Sequence, residues 1–268
     1  MLNDVVDRFY NPPNPMTKHA IERAATTLAD ASEVLVCAGS GLSVESGVPT
    51  FRGEDGVYQD SDIARLTRAS TFDSDRREMM QWYQDRRDQI DALDPNPAHR
   101  ALVELAARDG NYVFATQNVD HLLEAAADDN GYRPPIYHLH GSLLEVRCDD
   151  CGYAFEDLTL DLGELPRCER CNGPLRPGVV WFGEALPEQA LERSAEAAKR
   201  ADACIVVGTS GMVHPAASLP KIARQQGATL IEINPNSSAL SDICDILIRD
   251  KAGVALPDLA KQVRALRD

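Results

Sequence analysis

Glu33-Val34-Leu35-Val36-Cys37-Ala38, running straight into Gly39-Ser40-Gly41-Leu42-Ser43, is the stretch that decides the fold. A short apolar run rich in β-branched residues reads as a strand buried on both faces, and the glycines that end it let backbone approach a ligand, with a following helix N-terminus that can receive phosphate. Upstream, Thr17 to Ala31 has helical spacing at Ile21, Ala24, Ala25 and Leu28. Downstream, strand-like runs recur at Tyr112–Thr116, Cys204–Gly208, Thr229–Ile233 and Ile246–Ile248, and helical stretches at about 97–108, 187–200, 214–226 and 254–266. Apolar strands alternating with helices predict an α/β fold with a parallel sheet covered on both faces.

Two regions break that rhythm. Residues 54–92 are polar and helical, and residues 148–175 carry paired cysteines with little apolar periodicity. Both read as insertions that build a smaller lobe. With 268 residues, 44% hydrophobic and 26% charged, the chain suffices for one large domain carrying such insertions.

Forty-two acidic against 27 basic residues leave a net charge of −15, which argues against nucleic-acid binding and favours a basic peptide as partner. Only five of the cations are lysines (Lys18, Lys199, Lys221, Lys251 and Lys261), an acidic bias suited to high salt or simply to solubility. No run of eighteen apolar residues occurs, and the N-terminus lacks the features of a signal peptide, so a cytoplasmic, membrane-free protein is expected. Cys37, Cys204 and Cys244 lie in or beside strand-like runs and read as small buried hydrophobes.

The remaining four cysteines carry the strongest single motif. Cys148-x2-Cys151 and Cys168-x2-Cys171, sixteen residues apart, have the spacing of a zinc ribbon. Four thiolates leave no position for a metal-bound water, so the predicted zinc is structural.

Other motifs are ambiguous one at a time. The Gly39-Ser40-Gly41 loop suits a nucleotide, yet Val44 stands where a dinucleotide fingerprint needs its third glycine, and a plain tight turn fits as well. Thr116-Gln117-Asn118-Val119-Asp120 follows a predicted strand, where amides and a carboxylate suit ribose hydroxyls or a helix cap. In Tyr137-His138-Leu139-His140-Gly141-Ser142 either imidazole could serve as a general base or be structural, and strand alternation would point both the same way.

Taken in order, these motifs with Glu45-Ser46-Gly47-Val48-Pro49-Thr50-Phe51-Arg52, Phe182-Gly183-Glu184, Gly208-Thr209-Ser210 and Asn234-Pro235-Asn236 resemble the sirtuin family of NAD-dependent protein deacylases from about residue 30 to 255. The resemblance implies a Rossmann-type doubly wound sheet (about 16–53, 93–146 and 176–268) and a zinc-ribbon and helical lobe (about 54–92 and 147–175) within one catalytic domain. It implies NAD as co-substrate, one structural zinc, and acyl-lysine proteins or peptides as partners. Oligomeric state is left open.

By resemblance, Gly39, Ser40, Gly41, Ser43, Phe51 and Arg52 form the cofactor loop, and Gln117, Asn118, Val119 and Asp120 surround the nicotinamide ribose. Gly208, Thr209, Ser210, Asn234, Pro235, Asn236 and Ala252 lie on the adenosine side. His140 takes the position of the family's general base, with Asn118 and Asp120 as its catalytic companions, and His138 has no role. Val180, Trp181, Phe182, Gly183 and Glu184 resemble the substrate strand, to whose open edge an extended peptide adds. The implied products are nicotinamide, free lysine and 2′-O-acyl-ADP-ribose. Where the family usually has Gly-Ala-Gly this chain has Gly39-Ser40-Gly41, and Gly211 replaces a common serine; neither change removes a catalytic group.

Tyr83 and Arg86, three apart on a predicted helix, offer a phenol and a guanidinium from one face, or else a solvated face in which Arg86 pairs with nearby acids. The pair resembles the Tyr-x-x-Arg of sirtuins that remove succinyl and malonyl groups, and it extends the expected activity from acetyl to those groups. Two alternatives share the cofactor motifs: a mono-ADP-ribosyltransferase, and a silent module that binds NAD or acyl peptide.

Overall fold

The computed structural model describes residues 15–49 and 61–268, so Phe51 and Arg52 lie outside the described residues. In chain order the strands are β1 (Val34–Ala38), β2 (Tyr112–Thr116), β3 (Ile136–His138), β4 (Gly141–Cys148), β5 (Ala154–Glu156), β6 (Leu175–Val179), β7 (Ala203–Val207), β8 (Thr229–Ile233) and β9 (Ile246–Ile248). The α-helices are α1 (Pro15–Asp30), α2 (Ser61–Leu66), α3 (Phe72–Asp91), α4 (Pro97–Asp109), α5 (Leu122–Asn130), α6 (Glu188–Arg200), α7 (Leu219–Gln225) and α8 (Ala252–Arg267).

Six strands form one parallel sheet in the order β3-β2-β1-β7-β8-β9, so the chain reverses its direction of travel between β1 and β7. That is the doubly wound arrangement. Pleating sorts β1 between two cores: Val34, Val36 and Ala38 pack in one cluster with α1, α4 and α8, whereas Leu35 and Cys37 pack in another with α6 and α7. Because both faces are covered, the strand carries no polar residue. Ala38 pairs in register with Thr116 on one side and Val207 on the other, so the loops after β1, β2 and β7 all emerge along one edge.

The second lobe contains an antiparallel sheet, β5-β4-β6, which was not evident from periodicity because none of its strands alternates buried with exposed residues: β4 is buried only at every third position or so, β5 has three residues, and β6 carries Pro177 and Gly178. Its core joins Val146 and Leu175 to the inward face of α3, where Met79, Met80 and Tyr83 are buried beside Trp181. The cysteine knuckles hang from this sheet.

Acidic residues exceed basic ones by fifteen, and few of the cations are lysines. Salt shortens the range of acid–acid repulsion, so the melting temperature is expected to rise between about 0.1 M and about 1 M KCl. A flat or falling melting temperature over that range would contradict a high-salt adaptation and leave the fold untouched.

Candidate active site

The loops along the carboxyl edge of the sheet meet the second lobe around a cleft of about 1030 Å³. Ligands of open α/β sheets bind at such an edge, where the strand order reverses. Its lining includes Gly39, Ser40 and Gly41 after β1, Gln117, Asn118, Val119 and Asp120 after β2, and Gly208, Thr209 and Ser210 after β7. Asn234, Pro235 and Asn236 after β8, Ala252, His140, Tyr83, Arg86 and the segment Val180–Glu184 complete it. Residues scattered over most of the sequence are thus gathered by one sheet edge.

The glycine loop packs against the loop after β7. Gly39 N–H donates to Val207 O at 3.0 Å and Gly41 N–H to Gly208 O at 2.9 Å, so these two donors serve loop-to-loop packing. A Cβ on Gly41 would lie 2.6 Å from the Gly208 Cα, and one on Gly208, whose φ is +62°, would lie 2.4 Å from Leu42 N. The glycines therefore let β1 and β7 close on each other. Beyond them the chain makes two single 3-10 turns, Ser40–Leu42 and Val44–Ser46, and among the described residues that follow the loop up to position 49 there is no α-helix N-terminus to receive phosphate.

Ser43 also departs from its expected place. It is fully buried below the cleft floor and does not line the cleft. Its hydroxyl accepts from Asn118 Nδ2 at 3.1 Å and contacts His99 Nε2 at 3.3 Å, and it donates to the Asp120 carboxylate. His99 has no counterpart among the residues that the motifs singled out. Asn96 caps α4 and its own N–H donates to His99 Nδ1 at 3.2 Å, which puts the ring proton on Nε2, facing Ser43. Burial holds His99 down to about 4, so it stays neutral and donates. The sequence cue was a histidine at the third helical position after Asn96-Pro97, where a capping box normally carries Glu or Gln.

This network fixes Asn118 and Asp120 from beneath. Burial raises the Asp120 carboxyl above its ordinary range, although the Leu122 N–H and the Ser43 hydroxyl both bond it. Gln117 Nε2 donates to Thr209 Oγ1 at 3.0 Å and Asn234 Nδ2 to Thr209 O at 3.0 Å, which ties the loops after β2, β7 and β8 together.

The two histidines part company. β3 ends at His138, and the turn through Leu139 gives His140 a different setting. His138 bonds Asn118 O at 2.8 Å and Glu124 Oε1 at 2.7 Å, using both ring nitrogens away from the cleft. Burial opposes its charge, but the Glu124 carboxylate outweighs burial and raises His138 above the usual imidazole range. His140 lines the cleft and bonds a carbonyl, Gln117 O, through Nδ1 at 3.0 Å. A carbonyl only accepts, so the ring proton sits on Nδ1 and Nε2 keeps its lone pair. Burial lowers His140 below the ordinary imidazole value, which keeps it neutral.

The segment after β6 is less open than a sheet edge. Val180 N–H donates to His140 O, Phe182 N–H to Thr67 O, Glu184 N–H to Trp181 O, and Trp181 N–H to Glu184 Oε2. Four of its donors are spent inside the protein. The Glu184 carboxylate also accepts from Arg176 and Arg147, and Arg176, 1% exposed, reaches Asp149 beside the first knuckle. Glu184 lines the cleft, but its carboxylate shapes the segment. Phe182, exposed, and Met212 on the facing loop add apolar surface.

Away from the cleft, the Cys148, Cys151, Cys168 and Cys171 sulfurs all lie within 4.8 Å of one another, with Cys148–Cys171 at 3.4 Å and Cys151–Cys168 at 3.8 Å. A tetrahedron of sulfurs about 2.3 Å from zinc has edges of about 3.8 Å. The two knuckles are built alike: Cys148 N–H bonds Tyr153 O and Cys168 N–H bonds Gly173 O, and Gly152 and Asn172 take left-handed φ of +70° and +61° at matching positions. The donors fit one structural zinc. Purified protein is expected to carry about one zinc per chain, and Cys148→Ser or Cys171→Ser to lower its melting temperature, because a closed thiolate site contributes folding free energy. Active protein that metal analysis shows to be free of zinc would overturn this.

The Sir2 family model matches residues 39–215. NAD-dependent protein deacylase 1 of Archaeoglobus fulgidus is 41% identical over 244 residues, spanning 91% of this chain and 98% of that protein. This chain belongs to the Sir2 family. The NAD-dependent protein deacylase of Pyrococcus furiosus is likewise 41% identical, over 89% of this chain and 96% of its own length. A crystal structure of a Sir2 homologue in complex with NAD superposes with a TM-score of 0.85 at 41% identity, covering 92% of this chain and 95% of that one. A Sir2 protein bound to a myristoylated histone peptide gives 0.74 at 34% identity, covering 93% and 98%. Among the described residues no helix is long and apolar enough to cross a membrane.

Proposed function

We propose that this Sir2 protein is an NAD-dependent protein-lysine deacylase, working as one catalytic domain in which the cleft between the two lobes takes both NAD and the acyl-lysine. The observation that carries the reading is His140: a cleft-lining imidazole, buried enough to be neutral, with Nδ1 pinned to Gln117 O and its lone pair on Nε2. NAD, when bound, supplies the ADP-ribosyl group that receives the acyl group from lysine as nicotinamide departs. The glycine loop, Gln117, Asn118, Asp120, Thr209 and Asn234 are the residues that would hold it, and their mutual bonds keep them in position before it arrives. Asn118 and Asp120 are held by Ser43 and His99, so their polar atoms need not reorganise.

His140 Nε2, with its lone pair free, would accept a proton from a ribose hydroxyl of bound NAD, and burial would limit competition from water. Protonation at Nε2 would abolish this. Because burial lowers His140, the neutral form persists to more acidic pH than for a free imidazole, so kcat/KM is expected to be flat through neutrality with its acidic limb below 6.5. A limb at or above that value would assign the control of rate to another group.

On the substrate side, Val180–Glu184 would line the peptide, with apolar walls contributing more than backbone pairing, since four of its N–H groups are already bonded. The net charge of −15 favours basic peptides. Tyr83 and Arg86 line the same cleft, and they support a preference for succinyl and malonyl over acetyl groups. Mass spectrometry of products from acetyl-, malonyl- and succinyl-lysine peptides with NAD tests the whole reading. Release of nicotinamide and 2′-O-acyl-ADP-ribose only when acyl peptide is present supports it, whereas ADP-ribose left on a protein side chain would replace it with ADP-ribosyl transfer.

A further inference from the structure

Arg176 is 1% exposed, a charged side chain sealed beneath the Val180–Glu184 segment that lines the cleft. Its guanidinium grips that segment at both ends and in the middle. Nη2 donates to Val179 O at 3.0 Å, Nη1 and Nη2 donate to the two Glu184 carboxylate oxygens at 2.6 and 3.0 Å, and the guanidinium carbon lies 3.3 Å from the Trp181 ring centroid. Between those points Gly183 takes a φ of +99°, and Trp181 N–H closes the turn on Glu184 Oε2 at 2.8 Å. A fourth contact leaves the segment: Nη1 donates to Asp149 Oδ1 at 3.1 Å, and Asp149 directly follows Cys148 of the four-cysteine cluster. Burial opposes the charge on Glu184, but the bonds from Arg176 and the Trp181 N–H outweigh it and hold the carboxyl below its ordinary range. Burying such an ion pair costs desolvation that well-packed apolar side chains would avoid, so stability alone is a poor reason for it. What arginine adds is geometry, because a planar fork of donors fixes several acceptors at once where a lysine offers one point of charge. The bonds among Gln117, Thr209 and Asn234 that hold the cofactor loops use neither Arg176 nor Asp149.

We propose that Arg176 is the positioning residue of the acyl-peptide site and ties that site to the cysteine knuckle through Asp149. The inference rests on the deacylase reading above and assigns peptide affinity, as distinct from NAD affinity, to one buried side chain. Without the guanidinium, Val179 and Glu184 lose their common anchor and the Trp181 ring loses its support, so the segment samples several shapes. Only one of them fits an extended peptide, and affinity falls with the population of that shape. A peptide that does bind meets the same cleft chemistry, so turnover at saturating peptide is kept.

Fluorescence anisotropy of fluorescein-labelled acetyl- and succinyl-lysine peptides without NAD measures peptide affinity, and isothermal titration measures NAD affinity, both on zinc-loaded protein of known metal content. Arg176→Met, unbranched and apolar, is expected to raise Kd and KM about tenfold or more for both peptides, with kcat within about threefold of wild type and the NAD Kd unchanged. Asp149→Ala removes only the contact to the knuckle and is expected to raise the peptide Kd about threefold while zinc stays bound. A residue that merely stiffened the fold would lower the melting temperature of Arg176→Met and leave both affinities of the folded protein at wild-type values, and that result would refute the proposal. Equal rises in the peptide and NAD constants would refute it too, as a general loosening. Should Arg176→Met fail to fold, Asp149→Ala decides, because Asp149 is exposed and its truncation leaves Arg176 paired with Glu184. Peptide affinity unchanged in Asp149→Ala would overturn the link to the knuckle. If wild type binds neither peptide while it binds NAD, the deacylase reading itself falls, and Arg176's role with it.

Discussion

His140→Ala is expected to lose acyl transfer by on the order of 10²- to 10⁴-fold while binding NAD as the wild type does. The ring stands on the cleft wall, and none of the Gly39, Gln117, Thr209 or Asn234 bonds that hold the cofactor loops together uses its side chain. The ring donates to the Gln117 carbonyl, an acceptor, so truncation leaves no buried donor stranded there. Isothermal titration with NAD and single-turnover assays with acyl peptide separate binding from chemistry. Turnover near wild type in the variant would remove His140 from the mechanism. His138→Ala is expected to fail differently: it breaks the buried pair with Glu124, so its main effect falls on stability, with residual activity in the folded fraction.

Replacing Tyr83 by Phe and Arg86 by Met together is expected to lower the succinyl-to-acetyl ratio of kcat/KM by on the order of 10²-fold or more. A hydrogen bond to a charged group contributes roughly 1.5–3 kcal/mol, and the pair offers two such donors to a carboxylate. Tyr83 is buried and Arg86 half-buried, the guanidinium lying 5.3 Å from the Trp82 ring centroid, so both would meet an acyl carboxylate with little competing water. Equal loss on both substrates would make the pair structural, and a general deacetylase would be the better description.

The cofactor-side motifs were legible because each lies at the end of an apolar run whose period is unmistakable: Gln117 after Tyr112–Thr116, Gly208 after a run ending at Val207, Asn234 after Thr229–Ile233. The small sheet was not, because β4, β5 and β6 pack against α3, far away in sequence, and their burial does not alternate with period two. Ser43 shows the same limit at one residue. Its place in the loop was readable, but its burial under Asn118 depends on His99, 56 positions on.

What the sequence determined by itself is whatever local chemistry enforces: a strand that must be buried, glycines that must turn, four cysteines whose spacing suits one tetrahedral metal, and an order of motifs that points to the Sir2 family. Only the tertiary structure gave His138 its buried Glu124 partner and His140 its setting on the cleft wall, put Ser43 below the cleft floor, and turned the Glu184 carboxylate toward Arg176. Each of those decisions depends on which atoms a side chain meets across the fold, and hydrogen-bond partners and burial are properties of packing that no stretch of sequence carries alone.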